Sequence, residues 1–154
     1  MEDRMLCMWT QEHFKDMPAA TIGHIHSALE FSYGERRIQD VMKDLVEGSK
    51  QIWLGTIDNE FVATVVTHII DYPGKRTCEI CYLGGEVGSG ILQALGEVKA
   101  IEDWAIHNEC DDIQVFGRRG WLKALKNHGY SERYTIVGKS LSNPQDNKGS
   151  NNET

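Results

Sequence analysis

Tyr82-Leu83-Gly84-Gly85-Glu86-Val87-Gly88-Ser89-Gly90 lies between a strand-like apolar run and a long helix-like run. Four of the seven residues from Gly84 to Gly90 are glycine, so their backbone N–H groups are unshielded by side chains. A helix beginning after them would aim its positive end into the same loop. That combination suits a phosphate or pyrophosphate. A tight strand-to-helix connection would use the same glycines, so the stretch alone leaves both readings open.

The apolar run before it, Thr77 to Leu83, reads as a strand. After it, Ile91, Leu95, Val98, Ile101 and Ala105 mark one face of a helix from Gly90 to about Asn108. Upstream, Thr21 to Glu30 is helix-like. Glu35 to Glu47 is more clearly so, with Ile38, Val41, Met42 and Leu45 at helical spacing and Gly48 as the closing glycine. Gln51–Ile57 and Glu60–Ile70 are strands joined by Asp58-Asn59, a hairpin turn. Phe61–Val66 is apolar on both faces and reads as a central strand covered on both sides. Tyr72-Pro73-Gly74-Lys75 is a turn. Downstream come a short strand, Asp112–Phe116, a short helix, Gly120–His128, ended by Gly129, and a last strand, Arg133–Leu141. Two helices, antiparallel strands and then βαβ-type connections predict a single α/β domain: a mixed central sheet flanked by helices on both faces. The expected organisation is an N-terminal extension and first strand over 1–20, the domain over 21–141, and a disordered polar tail over 142–154.

The chain has 154 residues and a formal net charge of −7. A nucleic-acid binder spends Lys and Arg on phosphates, so nucleic acid is an unfavoured partner. No apolar run reaches the roughly 20 residues that span a bilayer. The acidic start, Met1-Glu2-Asp3-Arg4, lacks the layout of a signal peptide. Cytoplasmic location and no membrane partner follow as expectations. Cys78-Glu79-Ile80-Cys81 has CxxC spacing, but on a strand residues three apart face opposite sides, and no second ligand pair follows at zinc-finger spacing. Buried thiols in a reducing compartment, and no metal, are expected.

This order of elements, with the glycine loop between a central strand and the longest helix, resembles the GNAT superfamily of acetyl-CoA-dependent N-acetyltransferases over roughly residues 21–141. The family loop reads Gln/Arg-x-x-Gly-x-Gly/Ala. Gly85-Glu86-Val87-Gly88-Ser89-Gly90 has both glycines in register and Gly85 where the Gln or Arg stands. No Gly-Lys-Ser/Thr follows, which excludes a P-loop. Val115-Phe116-Gly117-Arg118-Arg119-Gly120-Trp121 to Gly129-Tyr130 looks like the ending of GNAT domains. Its Gly-Arg-x-Gly-Trp wording also resembles small GNAT-like proteins of tailed bacteriophages. The family's general-acid Tyr, four residues before the closing Gly, corresponds to Leu125.

The resemblance implies acetyl-CoA as co-substrate and an amine as acceptor. Its pyrophosphate would lie on Gly85, Glu86, Val87, Gly88, Ser89 and Gly90, and its pantetheine arm beside Leu83. Glu79, a lone carboxylate in an apolar strand, stands where the family often carries a general base. A salt-bridged or edge-exposed Glu79 is the structural alternative. Tyr130 is a candidate proton donor to the CoA thiolate, with Tyr134 behind it; Tyr130 also fits as the aromatic that closes the core. His68 reads as a hydrogen-bonded core residue, and His24 and His26 are wrongly spaced for one helical face. Arg118 and Arg119 begin a helix, where the dipole disfavours cations. They imply an anionic partner, a CoA phosphate or an acidic protein surface, or else pairing with Asp111 or Asp112. A GNAT-like binding or structural protein without catalysis is the second expectation.

Overall fold

A computed structural model describes residues 3–85, 97–116 and 119–142. Its centre is a five-stranded sheet in the order β1 (Arg4–Trp9), β2 (Lys50–Ile57), β3 (Glu60–Asp71), β4 (Arg76–Gly85), β5 (Asp112–Val115). The first four strands are antiparallel and β5 is parallel to β4, so the sheet is mixed. The helices are α1 (Ala20–Leu29), α2 (Ile38–Glu47), α3 (Val98–His107) and α4 (Arg119–Leu125). Two short 3-10 helices, Gln11–Asp16 and Lys126–His128, complete the order.

The β2–β3 hairpin forms because Asp58 and Asn59 both take positive φ, 51° and 68°, which matches the twist of the flanking strands. α2 starts later than its periodicity predicts. The Asp40 carboxylate accepts the Arg37 N–H at 2.9 Å and fixes the first turn there. Gly48 ends the helix at φ 85°.

The sheet buries two cores, one on each face. Ile25 of α1 and Val41 and Leu45 of α2 pack on Ile52, Leu54 and Val66. Val98, Ile101 and Ala105 of α3 and Trp121 and Leu125 of α4 pack on Trp53, Val65, Cys78, Ile80 and Leu83 on the other face. Trp53 meets Trp104 edge-on at 5.7 Å, and its ring N–H donates to Thr67 Oγ1 at 3.0 Å, so the buried indole is satisfied. β3 is the central strand, as its two-sided apolarity predicts.

Two expectations are corrected. Arg133–Leu141 is not a strand, despite its β-branched and aromatic content. β5 is only four residues long and the segment pairs with no strand among the described residues. Tyr134, Ile136, Val137 and Leu141 are accordingly 80%, 76%, 91% and 90% exposed. A strand's stability comes from its neighbours, and propensity does not supply one. The cysteines are free but not uniformly buried: Cys78 is buried, Cys81 and Cys110 are half-buried, and Cys7 is exposed on the edge strand β1.

Asp112 anchors the start of β5. It accepts hydrogen bonds from Thr77 Oγ1 at 2.7 Å, Lys75 Nζ at 2.7 Å and Arg133 at 2.6 Å. Burial opposes its charge, but these three donors outweigh burial and hold its carboxyl well below the usual carboxylate range. The folded protein therefore binds this proton less readily than the unfolded chain. Its stabilising contribution is present above the unfolded value near 3.8 and is lost as pH falls through that value toward the folded one. Asp112→Asn is expected to cost about 1–3 kcal/mol at neutral pH and to flatten the acid limb of melting temperature against pH. Thermal melts across the acid range check both, and an unchanged acid limb refutes the assignment.

Candidate active site

The β3–β4 hairpin sets the site. The turn after Asp71 pairs Asp71 with Arg76, and the register then runs unbroken to Thr67↔Ile80, placing His68 directly opposite Glu79. Beyond that point Val66 pairs with Tyr82, so Cys81 is an extra residue in β4, a β-bulge. The bulge changes which face each side chain takes. Cys78, Ile80 and Leu83 enter the α3–α4 core, while Tyr82 packs on the α1–α2 core.

The bulge falls where β4 loses a neighbour. β5 follows β4 from Thr77↔Asp112 to Ile80↔Val115, and its last contact is the Phe116 N–H donating to the Ile80 carbonyl at 3.3 Å. β4 runs on to Gly85 against β3 alone, and no strand among the described residues covers its other edge. Tyr82 to Gly85 are thus still strand. The strand expected to end at Leu83 runs on through Gly84 and Gly85, so the loop expected to open at Gly84 is corrected to begin no earlier than residue 86.

Gly84 has a local reason to be glycine. A Cβ there would lie 1.9 Å from the His24 carbonyl oxygen and 2.6 Å from its carbon. α1 rests directly on β4 at this point. His24 Nδ1 also shares a 2.9 Å hydrogen bond with Thr64 Oγ1, and Thr64 is the β3 partner of Gly84. The helix is therefore pinned across both strands next to the open edge.

Glu79 stands at the end of the paired region and is half-buried. Gln114 of β5, its register partner, donates Nε2 to Glu79 Oε2 at 3.1 Å, and Cys81 Sγ donates to Oε1 at 3.4 Å. Burial pushes the His68 imidazole below its ordinary 6.5, with Lys50 adding to the effect and Glu79 and Asp44 opposing it. His68 is therefore neutral at physiological pH. Burial and the Glu79 charge push the Cys81 thiol far up, so it is protonated. Burial likewise pushes Tyr82 up to about 12, with the Cys81 thiol adding to it. Asp44 lies beside this group, salt-bridged to Arg36 and to Lys50 at 3.7 Å.

Tyr130 is on the other side of the sheet, packed against the α3–α4 core. Its hydroxyl donates to Glu102 Oε2 at 2.6 Å, and burial together with that carboxylate pushes its pKa far up. Glu79 and Tyr130 thus serve opposite faces of the sheet. Tyr134 is exposed, and Leu125 is buried in the core. Leu83 is buried beneath the open edge, and Gly85 closes β4 opposite Ala63. Glu86, Val87, Gly88, Ser89, Gly90 and Arg118 lie outside the described residues, as do residues 91–96, where the long helix was expected to begin, and most of the tail expected to be disordered. Asp111 and Asp112, the alternative partners of the arginine pair, are engaged by the Arg76 N–H and by Lys75, Thr77 and Arg133.

Gln114 and the bulge at Cys81 escape a reading of the sequence. The signal was partly there: a turn over residues 72–75 already fixes His68 opposite Glu79. Nothing local marks where β4 gains its extra residue.

No protein-family model matches this chain, and no curated protein matches it. Solved structures do. A probable acetyltransferase superposes with a TM-score of 0.66 at 15% identity, over 89% of this chain and 96% of that one. A predicted acetyltransferase from Clostridium acetobutylicum, solved with acetyl-CoA, gives 0.62 at 14% identity, over 92% and 97%. An aminoglycoside acetyltransferase from an uncultured soil metagenomic sample, solved with sisomicin, gives 0.63 at 11% identity, over 90% and 97%. The fold is that of the GNAT acetyltransferases. One fold hosts many chemistries, so the fold alone does not fix what this chain does. No helix among the described residues is long and apolar enough to cross a membrane.

Proposed function

We propose that this chain is an acetyl-CoA-dependent N-acetyltransferase, with Glu79 as the base that takes the proton of the attacking amine. The observation that carries the reading is the parting of β4 from β5. A strand edge without its neighbour offers N–H and C=O groups to an extended partner. The pantetheine arm of acetyl-CoA is an extended chain with two amides. Laid along Tyr82–Gly85, it would bring the thioester to the end of the paired region, beside Glu79, and the pyrophosphate toward Gly85–Gly90, with Arg118 as a further phosphate partner.

The chemistry asked of the chain is modest. The amine nitrogen attacks the thioester carbonyl carbon, the C–S bond breaks, and the CoA thiolate leaves. The amine must lose a proton to complete the exchange, and a carboxylate within hydrogen-bond reach accepts it. Gln114 and Cys81 hold that carboxylate in one orientation. Positioning supplies most of the remaining acceleration. The acetyl-CoA of the Clostridium neighbour and the aminoglycoside of the soil neighbour support an acyl donor and an amine acceptor of these classes. Tyr130, held by Glu102, is assigned to closing the core.

A second reading has its own support. Leu125 is buried apolar where the family's general-acid Tyr stands, and Gly85 replaces the loop's Gln or Arg. Both fit a GNAT-like binding or structural protein that has lost catalysis. The phage-like Gly-Arg-x-Gly-Trp wording belongs with that reading, as does the host cytoplasm or a virion as its place.

Melting the protein with and without acetyl-CoA separates these. At about 100 times the dissociation constant, occupancy contributes about 2.7 kcal/mol, a shift of roughly 5–10 °C for a domain of this size. No shift at millimolar acetyl-CoA overturns the proposal. A shift without acetyl transfer to any of a panel of amines establishes the second reading.

A further inference from the structure

The group on the α1–α2 face of β3 and β4 has a composition that acid–base chemistry does not require. His68, Glu79 and Cys81 present an imidazole nitrogen, a carboxylate oxygen and a sulfur all within 4.8 Å of one another. We propose that these three side chains form a Zn2+ site, with the fourth position open to water.

Three features support it. The donors are of the types zinc selects, and nitrogen, oxygen and thiolate sulfur together favour it over Mg2+ or Ca2+, which take oxygen alone. The charges close: one thiolate and one carboxylate neutralise a divalent ion, and the imidazole adds none. The scaffold is rigid, because two ligands are cross-strand partners and the third sits on the bulge two residues on. Bonds of about 2.0–2.3 Å put tetrahedral ligands roughly 3.3–3.8 Å apart, so rotamer adjustments of about 1 Å close the site. Gln114 Nε2, bonded to Glu79 Oε2, leaves Oε1 for the metal and orients the carboxylate from behind. Lys50 and Arg36 are cations that act on His68, and both pair with Asp44.

Binding releases the Cys81 proton to solvent and forms the metal–sulfur bond, with no change of oxidation state. It also occupies the carboxylate proposed as base, so zinc would shut the site to amines. The zinc site itself does not depend on acetyl transfer, and its test is spectroscopic.

The test titrates Co2+ into the full chain after chelator treatment, under a phosphine reductant. One Co2+ per chain is expected, with a thiolate-to-cobalt charge-transfer band, visible bands of tetrahedral strength, and displacement by Zn2+. Cys81→Ser should abolish the charge-transfer band, and Cys7→Ser should leave it intact. His68→Ala should weaken Zn2+ affinity by about 10-fold or more. The proposal is overturned if wild-type protein gives no charge-transfer band, or if the band survives Cys81→Ser. Should Cys81→Ser fail to fold, His68→Ala decides: unchanged Zn2+ affinity in that variant overturns the site.

Discussion

Glu79→Gln is expected to lower kcat/KM for acetyl transfer by about 10²–10⁴-fold at neutral pH while leaving acetyl-CoA affinity within about twofold. The first figure is what one positioned general base contributes, roughly 3–5 kcal/mol of barrier. The second follows because Glu79 lies before the uncovered stretch of β4 and faces the α1–α2 side, whereas the edge that would hold the pantetheine arm begins past it. Gln keeps the size of the side chain and an oxygen for the Gln114 N–H, so the fold should survive. The deficit should shrink as pH rises, because solvent hydroxide increasingly takes the proton that the attacking amine must lose. Initial rates with a primary amine across pH, beside an acetyl-CoA binding isotherm, read both arms. Equal kcat/KM for the two proteins at neutral pH would remove Glu79 from the mechanism.

Gly84→Ala is expected to destabilise the protein by about 2–3 kcal/mol, lowering the melting temperature by roughly 5–10 °C. The added Cβ meets the carbonyl oxygen and carbon of His24 at 1.9 and 2.6 Å. Both are backbone, so no rotamer change relieves the clash. α1 must lift from β4, and lifting it strains the His24–Thr64 hydrogen bond on the adjacent strand. Gly23→Ala is the matched control: it also adds one methyl, on α1 itself, and nothing lies within 4 Å of its new Cβ. Equal melting temperatures for the two variants would mean that α1 does not rest on β4 at Gly84.

Most of the fold was legible because its signals are local. Helical spacing in Ile38, Val41, Met42 and Leu45 survives as the inward stripe of α2, with Val41 and Leu45 buried and Ile38 and Met42 partly buried. Asp58-Asn59 is a turn in sequence and in space because both residues tolerate positive φ. The two-sided apolarity of Phe61–Val66 marks the middle of the sheet. The misreading of Arg133–Leu141 has the opposite cause. Its residues suit a strand, but a strand also needs a partner edge, and four-residue β5 engages only the Arg133 end, through Asp112.

The sequence by itself determined the order of elements from α1 to α4, the two-faced sheet and the position of a lone carboxylate in its fourth strand. Each of these depends on periodicity or on the conformational limits of one or two residues. Only the tertiary structure decided what that carboxylate meets. Gln114 arrives from a strand 35 positions away, His68 from across the hairpin, and Cys81 through an inserted residue that shifts the register. It also decided that the conspicuous glycines divide: Gly84 serves close packing of α1 on β4, and Gly85 ends the strand. The physical reason is the same in each case. Backbone preference is written in neighbours along the chain, whereas a site is built by cross-strand register, and one bulged residue resets every side chain beyond it.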